Sequence, residues 1–313
     1  MRNLRRLALA LLLCLCPGFS ATARARSAQA LPGVNVAALA ASSERLYVGG
    51  FDQGLFIVEP DGQAHAFQDP SLSTHINALA WSEPEQVLWV GTARGLVRCS
   101  MRLPARCRRI GVSGAVHALL LSDSGELIAG GDAGLLFVTG EATGVFGRKQ
   151  GAPFGSVWAL AAREGSLFVG STSGLFWGKV ADFARGGVLG RASLVQGTLP
   201  DDWVTALLSQ GETLYVGTYN AGLESFRIQP EQISPEASDR RPGYVNAAGI
   251  IALTGGELAI ASMDGLFLGP LAHTQLRATR SRDVTAVARA NGGGYWVGTR
   301  QGLEWFPSLS AER

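Results

Sequence analysis

The stretch VLWVGTARGL, residues 87–96, is an apolar run that ends at glycine and meets a Gly-Leu pair four residues later. Six further stretches share this layout, and the leucines of the seven pairs are Leu55, Leu96, Leu135, Leu175, Leu223, Leu266 and Leu303. Their mean spacing is (303 − 55)/6, about 41 residues, and short strands with a period of about 40 residues are typical of β-propeller blades. The sequence therefore predicts an all-β fold, a seven-bladed β-propeller of four-stranded antiparallel blades.

A first, inner strand precedes each Gly-Leu pair and carries alanine in its third place. These strands read VAAL (36–39), INAL (76–79), VHAL (116–119), VWAL (157–160), VTAL (204–207), IIAL (250–253) and VTAV (284–287). A small side chain suits strands that crowd around a propeller axis. The second strands are nearly continuous apolar runs, as expected when neighbouring blades cover both faces. Blade six departs from the pattern, because Ala259 and Ala261 stand where the other repeats favour an aromatic residue and glycine.

Ring closure has two possible sources in the sequence. Only residues 307–313 follow the last apolar run, which is barely enough for an outer strand. The segment before Val36 resembles the segment before Val204, since Leu-Pro precedes both. We therefore expect residues near 26–31 to supply the outer strand of the last blade. The long connections 177–203 and 226–249 are predicted to be loops of a single propeller domain over residues 24–313.

The first residues predict a signal peptide over residues 1–23. Three arginines precede the ten-residue apolar run 7–16, and small residues allow cleavage after Ala23, Ala25 or Ala30. A run of this length is too short to span a membrane, and no later stretch is long enough. A lipoprotein is less favoured, because leucine precedes both Cys14 and Cys16; the residues around Arg5-Arg6 also do not suit a twin-arginine signal. We expect a periplasmic or secreted protein without a membrane span.

Charge excludes one class of partner. Removal of residues 1–23 leaves 27 − 3 = 24 Lys and Arg against 25 Asp and Glu, a net charge of about −1. Nucleic-acid binding requires a strongly basic face, so no nucleic-acid partner is predicted. The partner is expected to be a small ligand or a protein of unknown identity, and the chain is expected to be a monomer.

Cys99 and Cys107 are eight residues apart and flank a predicted turn in blade two. In an exported protein we expect them to form a disulfide across a hairpin; a redox pair is less favoured because the spacing is not C-x-x-C. Five arginines surround them: Arg98, Arg102, Arg106, Arg108 and Arg109. These arginines either protect an outer strand from edge association or form a docking patch for an acidic partner or lipid head group.

The strings VLWVGT with Gly95-Leu96, and YWVGT at 295–299 with Gly302-Leu303, resemble the two-component regulator propeller repeat. The resemblance covers nearly all of residues 35–306, although YVTN-type and WD-type propellers share parts of the pattern. It implies a sensor-type, ligand-binding propeller, since the family builds periplasmic sensor domains of hybrid histidine kinases. No kinase region is present in this sequence, so signalling is not implied directly.

Candidate ligand-binding residues lie in the turns between second and third strands and at the starts of inner strands. These segments open on one face of a propeller, and the turns of repeats one and five are one residue longer and carry an aromatic residue. The candidates are Phe51, Asp52, His75, Asn77, Arg94, His117, Asp132, Trp158, Trp203, Tyr219, Asn220, Asp264 and Arg300. Aromatic rings with both charge signs suit a small polar ligand, a glycan or a peptide; the alternative is that these are ordinary polar turn residues.

No catalytic motif is found. GSTSG at 170–174 places threonine where a nucleophile elbow needs serine, and the four histidines lack metal-ligand spacing. We therefore predict a non-enzymatic protein without a cofactor, although a metal shared by His75 and His117 is conceivable. The rival hypothesis is a periplasmic hydrolase or lyase that draws on Asp132, Asp264, His75 and His117. Convergence of these groups on one point would favour the enzyme, and an apolar plug would favour a scaffold.

Overall fold

The computed structural model describes residues 29–111, 113–122, 125–140, 142–185, 187, 189–230, 232–254, 256–270, 277–278 and 283–309. The predicted signal peptide, with the cleavage positions Ala23 and Ala25, lies outside the described residues, as does His273, one of the four histidines. The described chain forms seven four-stranded antiparallel sheets, which confirms the predicted seven-bladed β-propeller.

The strands follow one another blade by blade, and strand β1 (Gln29–Ala30) belongs to the last blade. Blade one comprises β2 (Val36–Ala41), β3 (Leu46–Gly50), β4 (Gly54–Val58) and β5 (Ala64–Phe67). Blade two comprises β6 (Ile76–Ser82), β7 (Val87–Thr92), β8 (Gly95–Ser100) and β9 (Arg106–Ile110). Blade three comprises β10 (Val116–Leu121), β11 (Leu127–Gly131), β12 (Gly134–Thr139) and β13 (Ala142–Phe146). Blade four comprises β14 (Val157–Arg163), β15 (Ser166–Ser171), β16 (Gly174–Lys179) and β17 (Gly190–Ala192). Blade five comprises β18 (Val204–Gln210), β19 (Thr213–Thr218), β20 (Leu223–Ile228) and β21 (Ile233–Asp239). Blade six comprises β22 (Val245–Ala252), β23 (Glu257–Ser262), β24 (Gly265–Pro270) and β25 (Arg277–Ala278). Blade seven comprises β26 (Val284–Arg289), β27 (Tyr295–Thr299) and β28 (Gly302–Phe306), with β1 as its outermost strand.

Helical structure is limited in the described part of the chain. A single turn of 3₁₀ helix covers Arg148–Gln150, and the short helix α1 (Val180–Arg185) lies in the long connection of blade four. Among the residues that the structure describes, no helix has the length and apolar character needed to cross a membrane.

The N-terminal segment closes the ring. Strand β1 pairs with β28 in antiparallel register, with Gln29 opposite Glu304 and Ala30 opposite Leu303. The inner strand β26 of blade seven contacts β2 of blade one, as each inner strand contacts the next around the axis. The expected closure by residues near 26–31 is therefore confirmed for residues 29 and 30, whereas residues 26–28 lie outside the described chain.

Glycine and alanine make each blade thin where the next blade packs against it. The third-place alanine of the inner strand pairs with the glycine that ends the second strand, for example Ala159 with Gly170. A Cβ atom added to Gly170 would come within 2.5 Å of Cγ1 of Val204, the first residue of the next inner strand. Five other blade junctions show the same close approach: Gly49–Ile76, Gly91–Val116, Gly130–Val157, Gly217–Val245 and Gly298–Val36. The recurring alanine and its glycine partner therefore together leave space for the first residue of the next inner strand.

Blade six has a different register from the one expected from its sequence. Val245 occupies the first position of the inner strand, because it pairs with Ser262 as Val204 pairs with Thr218. Ile250 pairs with Ile260 as Leu207 pairs with Val216, so residues 250–252 belong to the inner strand as expected, but the expected register, with Ala252 in third place, is wrong. The pairing jumps from Val245–Ser262 to Ile250–Ile260, two residues more than in blade five. Because of this insertion, the alanine-containing sequence pattern matches at residues 250–253 in the wrong register.

The disulfide prediction is confirmed, since Cys99 and Cys107 are bonded and lie directly opposite each other on β8 and β9. Cys99 is fully buried in the core between blades one and two. The bond therefore joins the outer strand of blade two to its packed interior.

Reduction of this disulfide is expected to lower the free energy of unfolding by about 2.5 kcal/mol, because a crosslink of this loop length removes conformational entropy from the unfolded chain. Chemical denaturation with and without reductant measures the difference. The Cys99→Ala/Cys107→Ala variant should lose at least as much and should not respond to reductant. Equal denaturation midpoints for the oxidised and reduced wild type would contradict the expectation.

Candidate functional site

One face of the propeller holds an open axial cavity of about 800 Å³. Every inner strand starts at this face, and because successive strands are antiparallel, the turns between second and third strands return to it. Both kinds of segment therefore surround the cavity, as the sequence predicted. We call this surface the cavity face.

A bulge at the start of each inner strand supplies the cavity wall. In blades one to five and seven the register shifts between the first and third residues, and a β-bulge re-aims the side chain of the extra residue. The second-place residues around the ring are Ala37, Asn77, His117, Trp158, Thr205, Asn246 and Thr285, of which all but Thr205 line the cavity. The wall is therefore made of different side chains on a repeated backbone.

Some of these second-place residues join adjacent blades. The Asn77 amide donates a hydrogen bond to the Val116 carbonyl at 3.0 Å, and the Asn246 amide donates to the Val284 carbonyl at 2.6 Å. By contrast, the Trp158 indole nitrogen and the Thr285 hydroxyl are buried without a hydrogen-bond partner among the described protein groups. Buried polar groups are normally hydrogen-bonded to protein or to ordered water, so each of these two buried donors is suited to an enclosed water molecule.

Five rings form a continuous series around one side of the cavity, and we call this series the aromatic arc. Its members, in order of contact, are His117, Trp158, Trp203, Tyr219 and Tyr244. His117 stacks on Trp158 with centroids 4.0 Å apart, and Trp203 stacks on Tyr219 at 4.3 Å. The intervening contacts are edge-to-face. Such contacts fix the ring planes, so the exposed faces of the arc are rigidly presented.

Two histidine–aspartate pairs stand at the cavity rim. Nε2 of His117 lies 3.0 Å from Oδ1 of Asp132, and Nδ1 of His75 lies 3.3 Å from Oδ1 of Asp52. Partial burial alone would raise the pKa of Asp132, but hydrogen bonds from His117, the Ala115 backbone N–H and a neighbouring serine outweigh it and lower that pKa. Asp132 therefore stays ionised beside His117.

Arg300 is the only permanently charged residue that lines the axial cavity, within the part of the chain described here. No described carboxylate forms an ion pair with it. Burial raises the pKa of Tyr244, the neighbouring Tyr219 adds to this effect, and the positive charge of Arg300 opposes it. Arg300 therefore acts electrostatically on the tyrosine end of the aromatic arc.

The thirteen candidate residues fall into three groups. Those that line the cavity are Phe51, His75, Asn77, His117, Trp158, Tyr219 and Arg300. Those in direct contact with lining residues are Asp52, Asp132 and Trp203. The structure does not place Arg94, Asn220 or Asp264 along the cavity, and the Asn220 backbone instead donates to Asp201. Ten of the thirteen candidates therefore lie at or beside the cavity and three do not line it; that they bind a ligand stays a prediction.

Sequence reasoning missed five polar or large side chains that line the cavity: Asn35, Tyr244, Asn246, Met263 and Thr285. Tyr244 precedes the first inner-strand residue of blade six as Trp203 does in blade five. Asn246 and Thr285 occupy the second place that supplied Asn77 and His117. The correct register of blade six would have identified both Tyr244 and Asn246.

Below the wall, an apolar ring narrows the axial channel. The residues in the fourth place of the inner strands, such as Leu39, line a smaller cavity of about 160 Å³. They are Leu39, Leu79, Leu119, Leu160, Leu207, Ile250 and Val287. The site thus combines a mouth with polar groups and an apolar floor, and it is open rather than plugged.

Metal binding receives no geometric support from the described residues, because no three His, Cys, Asp or Glu side chains cluster there. His75 and His117 are each engaged by a different aspartate. Asp264 does not line the cavity. Of the four groups of the rival enzymatic hypothesis, His117 and Asp132 form one pair, His75 pairs with Asp52 instead, and Asp264 lies outside the cavity lining.

No protein-family model matches the chain, and no curated protein matches it in sequence. Many solved structures share its fold. The extracellular domain of BT4673 from B. thetaiotaomicron, whose name places it in a hybrid two-component system, is 17% identical with a TM-score of 0.72; the match covers 91% of this chain and 40% of that one. The chain thus spans about two fifths of that domain.

Two further structures show how widely the fold is shared. PorZ, a surface component of the type-IX secretion system of Porphyromonas gingivalis, is 15% identical with a TM-score of 0.65 over 90% of this chain and 38% of its own. The WD40 propeller of Doa1 is 14% identical with a TM-score of 0.67 over 90% of this chain and 94% of its own. At these identities the likeness establishes a common β-propeller fold, and this fold is also that of a two-component-system extracellular domain.

Proposed function

We propose that this protein is an exported, non-enzymatic β-propeller that binds a small polar ligand, a glycan fragment or a peptide in its axial cavity. The observation that carries the proposal is the aromatic arc along one side of an open cavity that also contains the Arg300 side chain. Flat aromatic faces contact the apolar side of a ligand, and a charged side chain orients its polar groups.

The charge of the cavity favours an acceptor-rich ligand. Arg300 is its permanent charge, and the two aspartates of the rim do not line the cavity and are paired with His75 and His117. A ligand that carries a carboxylate would pair with the Arg300 guanidinium, while its apolar face lies on the half-exposed rings of Phe51 and Tyr219. Among polar ligands, an anionic one is therefore preferred.

The shared fold with the extracellular domain of a two-component system supports a biological setting for this proposal. The chain serves as a stand-alone sensor or accessory protein of the two-component regulator propeller type, in the periplasm or outside the cell, and acts as a monomer. His75 and His117 pair with different aspartates and Asp264 lies outside the cavity lining, which supports binding over catalysis, because acid–base chemistry needs groups within reach of one reacting atom. A hydrolase or lyase on this fold is the second candidate.

A thermal-shift screen of sugars, sugar acids and short peptides tests the proposal. Each ligand found is then titrated against Tyr219→Ala, Phe51→Ala and Arg300→Gln. We expect the two aromatic variants to weaken binding about tenfold, equivalent to about 1.4 kcal/mol, through loss of ring contact. Arg300→Gln should weaken carboxylate ligands more than their neutral counterparts.

Arg94→Gln is the matched control, because Arg94 lies in the corresponding turn of blade two and does not line the cavity. It should bind every ligand like the wild type. Ligands that bind all three cavity variants with wild-type affinity would place the binding site elsewhere and contradict the proposal.

A further inference from the structure

A second surface lies at the opposite end of blade two from the cavity. Strands β8 and β9 and the turn between them, residues 101–105, form a hairpin that we call the basic hairpin. Since the turns between second and third strands lie on the cavity face, antiparallel pairing puts the next turn on the other face. The tip of the basic hairpin therefore points away from the ligand site.

The tip carries an apolar side chain that packs against nothing. Leu103 is 92% exposed, the highest exposure among the large hydrophobic residues described. Its neighbours Arg102 and Pro104 are also exposed. A single exposed leucine is common on protein surfaces, so a functional role for Leu103 must be argued from the residues around it.

Those surroundings are strongly basic. Arg106, Arg108 and Arg109 follow on β9 and are exposed, and Arg98 lies directly opposite Arg108 on β8. Like charges facing each other across two strands destabilise a sheet, so this arrangement is not explained by stability. Arg98 is partly compensated by Glu85 at 3.5 Å, whereas Arg102 and Arg106 form no ion pair with any described residue.

The hairpin is held rigidly below its tip. The disulfide joins its two strands, and the buried Met101 donates its backbone N–H to the Gln86 carbonyl at 2.9 Å. On the outer side, Asp69 accepts the Cys107 backbone N–H at 3.0 Å, and the Arg109 side chain donates to the Ser71 carbonyl at 3.0 Å. The exposed leucine and its arginines are therefore presented in a fixed arrangement.

We propose that the basic hairpin docks the protein onto an anionic membrane surface. An acidic protein would satisfy the arginines, but it would leave Leu103 without a defined contact. A lipid surface accommodates both the arginines and Leu103, because its phosphate groups attract the guanidinium groups and the apolar side chain enters the interfacial region. Docking through this face leaves the axial cavity open to the surrounding solution.

Flotation with lipid vesicles tests this inference. The wild type should bind vesicles of phosphatidylcholine and phosphatidylglycerol in equal parts, should not bind pure phosphatidylcholine, and should be released by salt. Arg102→Glu/Arg106→Glu is expected to reduce the partition coefficient about tenfold or more. Leu103→Ser, which leaves the charge unchanged, should reduce it about threefold or more through loss of apolar contact.

Arg94→Glu/Lys149→Glu changes the charge by the same amount at exposed positions away from the hairpin and should bind like the wild type. Failure of the wild type to bind anionic vesicles would overturn the inference. So would equal losses in the hairpin and control double variants, or full binding by Leu103→Ser, because these results indicate general charge attraction. The ligand titrations of the cavity variants are read separately, so either conclusion can fail without the other.

Discussion

A chain that begins at residue 32 is expected to melt about 8–10 °C below one that begins at residue 26. The longer form keeps β1, which pairs with β28 and adds Ala30 and Leu31 to the core shared by blades one and seven. The shorter form exposes the edge of β28 and part of this core. We expect a loss of about 3–4 kcal/mol, and each kcal/mol corresponds to about 2–3 °C for a domain of this size.

Differential scanning calorimetry of the two forms measures this effect. A third form that begins at residue 29 separates pairing by β1 from any contribution of residues 26–28, and it should melt close to the longest form. Identical melting of the forms that begin at residues 26 and 32 would show that β1 contributes little to closure. The result also bears on export, because cleavage after Ala30 would detach β1, whereas cleavage after Ala23 or Ala25 would leave it in place.

The fold could be predicted from the sequence because each blade repeats the same physical requirement. A β-branched residue of one blade packs against the glycine of the blade before it, and an alanine pairs with that glycine. This requirement leaves a readable pattern at every junction except that of blade six. There, Ala261 replaces the glycine and a two-residue insertion follows Val245, so the sequence pattern of the inner strand matches at residues 250–253 in the wrong register.

The site was predicted less completely, because its residues share a position rather than a type. Asn77, His117 and Trp158 were found since the inner strands of their blades were aligned correctly. Tyr244 and Asn246 were missed since the register of blade six was wrong. For turn residues such as Arg94 and Asp264, the sequence indicates the face on which they lie but not the direction of the side chain.

Valine at position 170 is expected to destabilise the protein by about 3 kcal/mol and to disorder the aromatic arc. Even a Cβ atom there would lie 2.5 Å from Cγ1 and 3.1 Å from Cβ of Val204, and 3.1 Å from Cβ of Ala159. None of these atoms is the end of a flexible side chain, so blades four and five must separate. Overpacking of a well-packed core typically costs about 1–3 kcal/mol, and a closed ring resists the displacement further.

The same displacement reaches the ligand site. Val204 follows Trp203, and Ala159 follows Trp158, so separation of the two blades should pull apart the edge-to-face pair of tryptophans, whose centroids are 5.4 Å apart. Gly170→Val should therefore lower the melting temperature by about 6–10 °C and reduce the near-ultraviolet circular dichroism of the coupled indoles. Gly111→Val is the control, because no atom lies within 4 Å of a Cβ there. If Gly170→Val retained both the wild-type melt and the wild-type spectrum, the tight glycine junction would not be what fixes the spacing of the blades or the geometry of the arc.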